Sequence, residues 1–378
     1  MQENITRLIE EVKSNTLHNK TIWWIVFSFF LFVWTVQLNP PVNTGDLHTG
    51  LWGVMLMQAK DITNNDYLGN VLYGYNRALR LTVPVIMKLL SISSTKQMYL
   101  IQLLISFIFQ LLLVKLVYRI NKGHLINTAL FCIACTYCYF SNTATGDTFG
   151  HADTFAYLFI LISIYSTQPI IVAFSLFCAI FANERTLIIT VPAVWFWWFL
   201  QDQKNKKLMI YGAVPLAVIG YFIGKYTLLS LPNFKTSLPD DFSLGYLLGQ
   251  HSFFSIFIFT FKGLWLFVFL LIVRLKKIPF YLIVCLVFSA AAFVVADQTR
   301  GISFLFPLFL LVLSQLNKFV DKEEISKITI YCLIACVAIP NIVFYGHYEL
   351  RPSFFYIMLE KVIFIPIQDI VASLVNHP

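Results

Sequence analysis

Between Thr154 and Asn183 the chain carries no charged side chain. A stretch like this either lies deep in a large soluble core or sits in lipid. Composition decides between them. Hydrophobic residues make up 58% of the 378 positions and charged residues 12%, about half the roughly 25% share of a soluble protein. Too little polar surface remains to coat a water-soluble fold of this size. The same numbers exclude a disordered chain, a collagen-like chain, a disulfide scaffold and an ordinary cytosolic enzyme. The chain reads as an all-α, polytopic membrane protein.

A spanning helix needs about 20 mostly apolar residues. Candidates lie at 21–38, 97–118, 124–141, 186–200, 208–231, 252–273, 278–296, 301–317 and 328–345. The segment 154–183 is too long for one upright helix. Pro169 lacks a donor and disfavours helix at Gln168, so two short helices, 154–167 and 169–183, are expected there. The total is about eleven spans, or about twelve to thirteen if further apolar stretches cross. Residues 1–20 form a polar tail, and 21–345 a single transmembrane domain containing a long loop, 39–96. Residues 346–378 either span or lie in the interface. Thr21–Leu38 is followed by Asn39-Pro40-Pro41 rather than a small-x-small cleavage site, so it reads as a retained helix. No internal repeat is evident.

The net charge is +8, and its placement gives orientation. Arg7, Lys13 and Lys20 precede the first span. Arg119 and Lys122, then Lys204, Lys206 and Lys207, then Arg274, Lys276 and Lys277, then Lys318, Lys322 and Lys327 form further clusters. With 154–183 as a hairpin, all these clusters share one side. The positive-inside rule makes that side, and the N-terminus, cytoplasmic. One helix over 154–183 would send the last three clusters outward.

The opposite side collects carboxylates, His and Arg. The loop 39–96 carries Asp46, His48, Asp61, Asp66, Arg77 and Arg80. Later outer turns carry Asp147, His151 and Asp153, then Glu184 and Arg185, then Asp240 and Asp241, then Asp297 and Arg300. Singly, each has a plain structural explanation. Asp297 and Arg300 are spaced as a local helix pair, and Asp46 is placed to cap a turn. Together they suggest a shared polar pocket, because ionisable groups at the ends of apolar helices face protein or water rather than lipid. Cys132, Cys135 and Cys138 recur every third residue in an apolar run. Without His or carboxylate beside them, they read as small core- or lipid-facing side chains.

Carboxylates beside Arg suit transfer from a phosphate-linked donor. A carboxylate takes the proton of an acceptor hydroxyl, and Arg stabilises a phosphate leaving group. A Walker-type loop and an HExxH motif are both missing from the sequence. The layout resembles membrane-embedded glycosyltransferases of the GT-C class. Asp46 in TGDLH stands where that class carries an essential Asp in the first outer loop. Gly150 and His151 in DTFGHADTF resemble its Gly-His motif, and Leu51–Ala59 and Val71–Val83 resemble its juxtamembrane helices.

The resemblance implies a polyprenyl-phosphate-linked sugar donor and a glycan or lipid-linked acceptor. It also implies a site on the outer face of a bacterial cytoplasmic membrane. Asp46 would be the base, Arg185 and Arg300 would hold the donor phosphate, and Glu184 and Asp297 would position them. His48, Asp147, His151 and Asp153 would bind sugar or acceptor. A lone Asp46, without a second carboxylate beside it, leaves a divalent cation an open option. Two rival readings are a polysaccharide polymerase or ligase, and a transporter using Lys225 or Lys262 within the membrane.

Overall fold

The computed structural model describes residues 21–38, 51–65, 78–146, 151–201, 205–235, 253–294, 298–339, 341–345 and 347–351. Helices dominate them. In chain order these are α1 Thr21–Gln37, α2 Leu51–Lys60, α3 Thr82–Leu89, α4 Thr95–Ile120, α5 Leu125–Thr136, α6 Tyr139–Gly146, α7 Asp153–Tyr165, α8 Pro169–Ala182, α9 Thr186–Leu200, α10 Lys206–Leu229, α11 Ser255–Leu275, α12 Phe280–Ala292, α13 Gln298–Phe319 and α14 Lys322–Ala338. A two-stranded antiparallel ribbon follows, β1 Asn341–Tyr345 and β2 His347–Arg351, with Val343 opposite Glu349.

Among the described residues, α4, α10, α11 and α13 are long and apolar enough to cross a membrane, and six shorter helices are apolar throughout. Large apolar side chains such as Phe174, Tyr211, Val273 and Phe280 are exposed. A water-soluble fold would bury that surface. The chain is therefore a membrane-embedded helical protein.

Local chemistry sets the helix ends. Ser94 and Gln97 form a reciprocal capping box at the start of α4. Asp321 caps α14 by accepting from the Glu324 backbone N–H at 2.8 Å. Gln168 is extended and Pro169 opens α8. The expected hairpin is thus present, as α7 and α8. Each half is about 20 Å long at 1.5 Å per residue, shorter than a roughly 30 Å hydrocarbon core.

Two expectations need correction. The segment 124–141 is not one helix, because tight backbone bonds from Tyr137 to Ala134 and from Cys138 to Cys135 end α5 before α6 begins. The segment 328–345 is not one either. Pro340 follows Ile339, Ile339 is extended, the helix stops at Ala338, and 341–345 is a strand. Apart from this ribbon the described elements are helices, as the all-α expectation has it. In the first loop, Leu51–Lys60 is helical as expected, but part of Val71–Val83 lies outside the described residues.

α13 lies at the centre: 78% of its most apolar stretch is buried, against 33% for α10 at the periphery. Around it Phe109, Phe140, Tyr157 and Phe306 interlock edge-to-face and stacked, with centroids 5.0 to 6.5 Å apart. This aromatic core fixes α4, α6, α7 and α13 to one another.

Candidate functional site

The two ends of the bundle differ chemically. At one end, basic loops meet helix C-termini. Arg119 donates to the Tyr165 carbonyl at 3.1 Å, Lys122 to Asn317 at 2.9 Å, and Lys318 to Leu200 at 3.0 Å. Each cation meets the negative end of a helix dipole. Arg274 pairs with Glu324 here, and Asn205 reaches the Thr167 carbonyl. The described parts of four sequence-distant basic clusters thus sit together, as the hairpin requires.

The other end holds the ionisable cluster. Arg300, at the start of α13, donates from Nε and Nη2 to both carboxylate oxygens of Asp153, and from Nη2 to the His151 carbonyl at 3.1 Å. Exposure of the two side chains is 3% and 0%. Asn183 donates to Asp153 at 2.8 Å and accepts from the Arg185 backbone N–H at 3.1 Å. Ala152, just before Asp153, has a left-handed φ of 67°. That conformation is costly for a residue with a Cβ, and such outliers concentrate at functional sites.

A second pair lies alongside. Arg80 donates from Nε at 2.9 Å and from Nη2 at 2.6 Å to the two oxygens of Glu184. This bidentate fork is fixed from both directions, because Gln58 holds the Ala78 carbonyl and Thr82 holds the Cys178 carbonyl. Burial raises the Glu184 carboxyl, but the Arg80 charge and hydrogen bonds outweigh it and bring the carboxyl down to about 2. Arg185 lies within electrostatic reach of both Asp153 and Glu184, and Tyr221 of α10 within reach of Glu184.

The first loop is also tied to the connection after α10. Asn65 donates to the Lys235 carbonyl and accepts from its backbone N–H, both at 2.7 Å. A small cavity lies beside Arg80, lined by Leu51, Val54, Met55 and Gln58 of α2 together with Arg80, His151 and Ala152.

Of the expected site residues, His151, Asp153, Glu184, Arg185 and Arg300 are brought together. Asp46, His48, Asp147 and Asp297 lie outside the described residues. Arg300 takes Asp153 as its partner, and its clamp is closed. Glu184 takes Arg80, which sequence reasoning placed in the loop without a role. Asn183 was also missed, since an amide beside a helix end carries no distinctive spacing. Among the described residues no group of His, Cys, Asp and Glu is arranged to hold a metal. Lys262 is buried in a 3-10 turn that interrupts α11, with its Nζ 3.4 Å from the Cys336 carbonyl, while Lys225 is half-buried on α10. Comparison with family models, curated proteins and solved structures finds no match for this chain.

Proposed function

We propose that the chain is a membrane glycosyltransferase. In this reading it moves a sugar from a polyprenyl-phosphate-linked donor to a glycan or lipid-linked acceptor. The cluster end faces outside a bacterial cytoplasmic membrane, and the basic end, with the N-terminus, faces the cytoplasm. About eleven segments cross or enter the bilayer, short ones pairing as hairpins.

One observation carries the reading. Four connections remote in sequence, around Arg80, Asp153, Glu184 and Arg300, converge on one charged cluster at the end opposite the basic loops. A solvated rim alone has no need of a buried, bidentate Arg–carboxylate pair, which is costly to desolvate. The Asp153–Arg300 clamp serves as the rigid floor. Asp46, in the segment that follows α1 in sequence, takes the acceptor proton as the hydroxyl oxygen attacks the anomeric carbon, and the donor phosphate leaves as an anion.

The test is direct. Purified protein in nanodiscs is given a polyprenyl-phosphate hexose and a mixture of lipid-linked acceptors. Sugar should be transferred or released by wild type and not by Asp46→Asn. No turnover with any polyprenyl-phosphate sugar would sink the reading. A transporter is the second reading, favoured by Lys262, buried at the break in α11. Lys262-dependent solute uptake in liposomes without sugar chemistry would select it.

A further inference from the structure

We infer that Arg80, not Arg300, is the anion ligand of this protein, and that the ligand is the phosphate of a lipid-linked phosphate ester. The inference rests on reading the cluster end as the donor-facing one. Three observations lead to it.

The Arg300 guanidinium is closed around Asp153 and the His151 carbonyl, so an incoming phosphate would have to break a buried ion pair to reach it. Arg80 is different. Glu184 occupies its Nε and Nη2, while Nη1 is buried and has no hydrogen-bond partner. A buried donor on a charged group without an acceptor is rare in folded proteins and marks a place where one belongs. The fork to Glu184 holds the guanidinium rigid, so this edge is presented without loss of rotamer freedom on binding.

The lining supplies the class of ligand. Arg80, His151, Ala152 and Gln58 line the cavity together with Leu51, Val54 and Met55 of α2. A charged edge beside aliphatic side chains recognises an amphiphile better than a free anion, whose hydration aliphatic groups cannot replace. In this state the space admits little more than about one water, so seating a phosphate requires the lining side chains to part.

The experiment measures binding without chemistry. Wild-type protein in nanodiscs is titrated with polyprenyl phosphate lacking sugar, and separately with inorganic phosphate. Polyprenyl phosphate should bind well below the concentration at which inorganic phosphate does. The double variant Arg80→Gln/Glu184→Gln removes both charges together and leaves no orphaned carboxylate. It should lose at least tenfold in affinity while keeping the wild-type melting temperature. Unchanged affinity in the folded double variant would overturn the assignment. Equal affinity for the two probes would overturn the lipid part of it.

A second measurement uses only wild-type protein, so a variant that does not fold cannot stall the test. A photoreactive polyprenyl phosphate with its label close to the phosphate should cross-link to the Leu51–Lys60 peptide. Labelling confined to other peptides would overturn the site. Binding of sugar-free polyprenyl phosphate with no sugar transfer from any donor would leave this site standing and defeat the transferase reading alone.

Discussion

At the residue scale, the two Arg–carboxylate pairs have separate duties. Asp153 and Arg300 are almost wholly enclosed. Removing one partner leaves an uncompensated charge in a low-dielectric place, at a cost of about 3–5 kcal/mol. Asp153→Asn should therefore lower the melting temperature sharply in detergent, and a wild-type melting curve would refute the clamp. Glu184 and Arg80 are more open, the Glu184 side chain being 41% exposed, so solvent screens part of their attraction. The Glu184 pKa falls from 4.5 to about 2 on folding. A depressed carboxylate contributes stability that is fully present above pH 4.5 and is lost as pH falls towards about 2. Melting temperatures of wild type and Glu184→Gln, compared between pH 7 and pH 3, should converge as pH falls. Asp46→Asn stands apart from both. It keeps size and capping ability but removes a base, and transfer should fall by about a hundred- to ten-thousandfold. Near-normal transfer would move the base to another carboxylate of the cluster.

At the element scale, the hairpin of α7 and α8 decides the layout. It turns at Gln168 and brings Asn183, at the end of α8, back to Asp153, at the start of α7. Single cysteines at Thr167 and at Glu184, in a cysteine-free background, should label from opposite sides of the membrane. Labelling from one side would dismantle the hairpin and the sorting of the basic loops with it. Glycines mark where helices approach most closely. A Cβ on Gly263 would lie 2.2 Å from the backbone oxygen of Cys332 on α14. Neither backbone can give way cheaply, so Gly263→Ala should destabilise by about 1–3 kcal/mol. At Gly224 the obstacle is the tip of the Phe181 ring at 2.9 Å, which can rotate. Gly224→Ala should cost less, and thermal unfolding of the two variants side by side checks the order.

At the scale of the whole molecule, the bundle is polar at its two ends and apolar between, with different chemistry at each end. One end pairs cations with helix C-termini. The other encloses its charges and gathers them from four parts of the chain. The five buried cysteines of α5, α14 and the turn after α5 lie between, all with free thiols. The run Cys132, Cys135, Cys138 proves to be core rather than lipid-facing, since each is at most 1% exposed.

The sequence by itself determined the class of environment and where most of the helices lie, though not the breaks after Thr136 and Ala338. Both follow from local quantities: apolar composition over a span, a proline at Pro169, a capping Ser94. The grouping of the basic clusters at one end of the bundle was also legible, because basic residues are sorted loop by loop and the break at Pro169 sets the parity. Partner choice was not legible. Nothing near Arg300 in sequence pointed to Asp153, which clamps it, and nothing near Glu184 pointed to Arg80; Asp297 lies outside the described residues. A guanidinium buried at a helix end is held by whichever carboxylate the packed helices bring within reach and shield from water. That is settled by how α3, α7, α8 and α13 pack, and only the tertiary structure contains it.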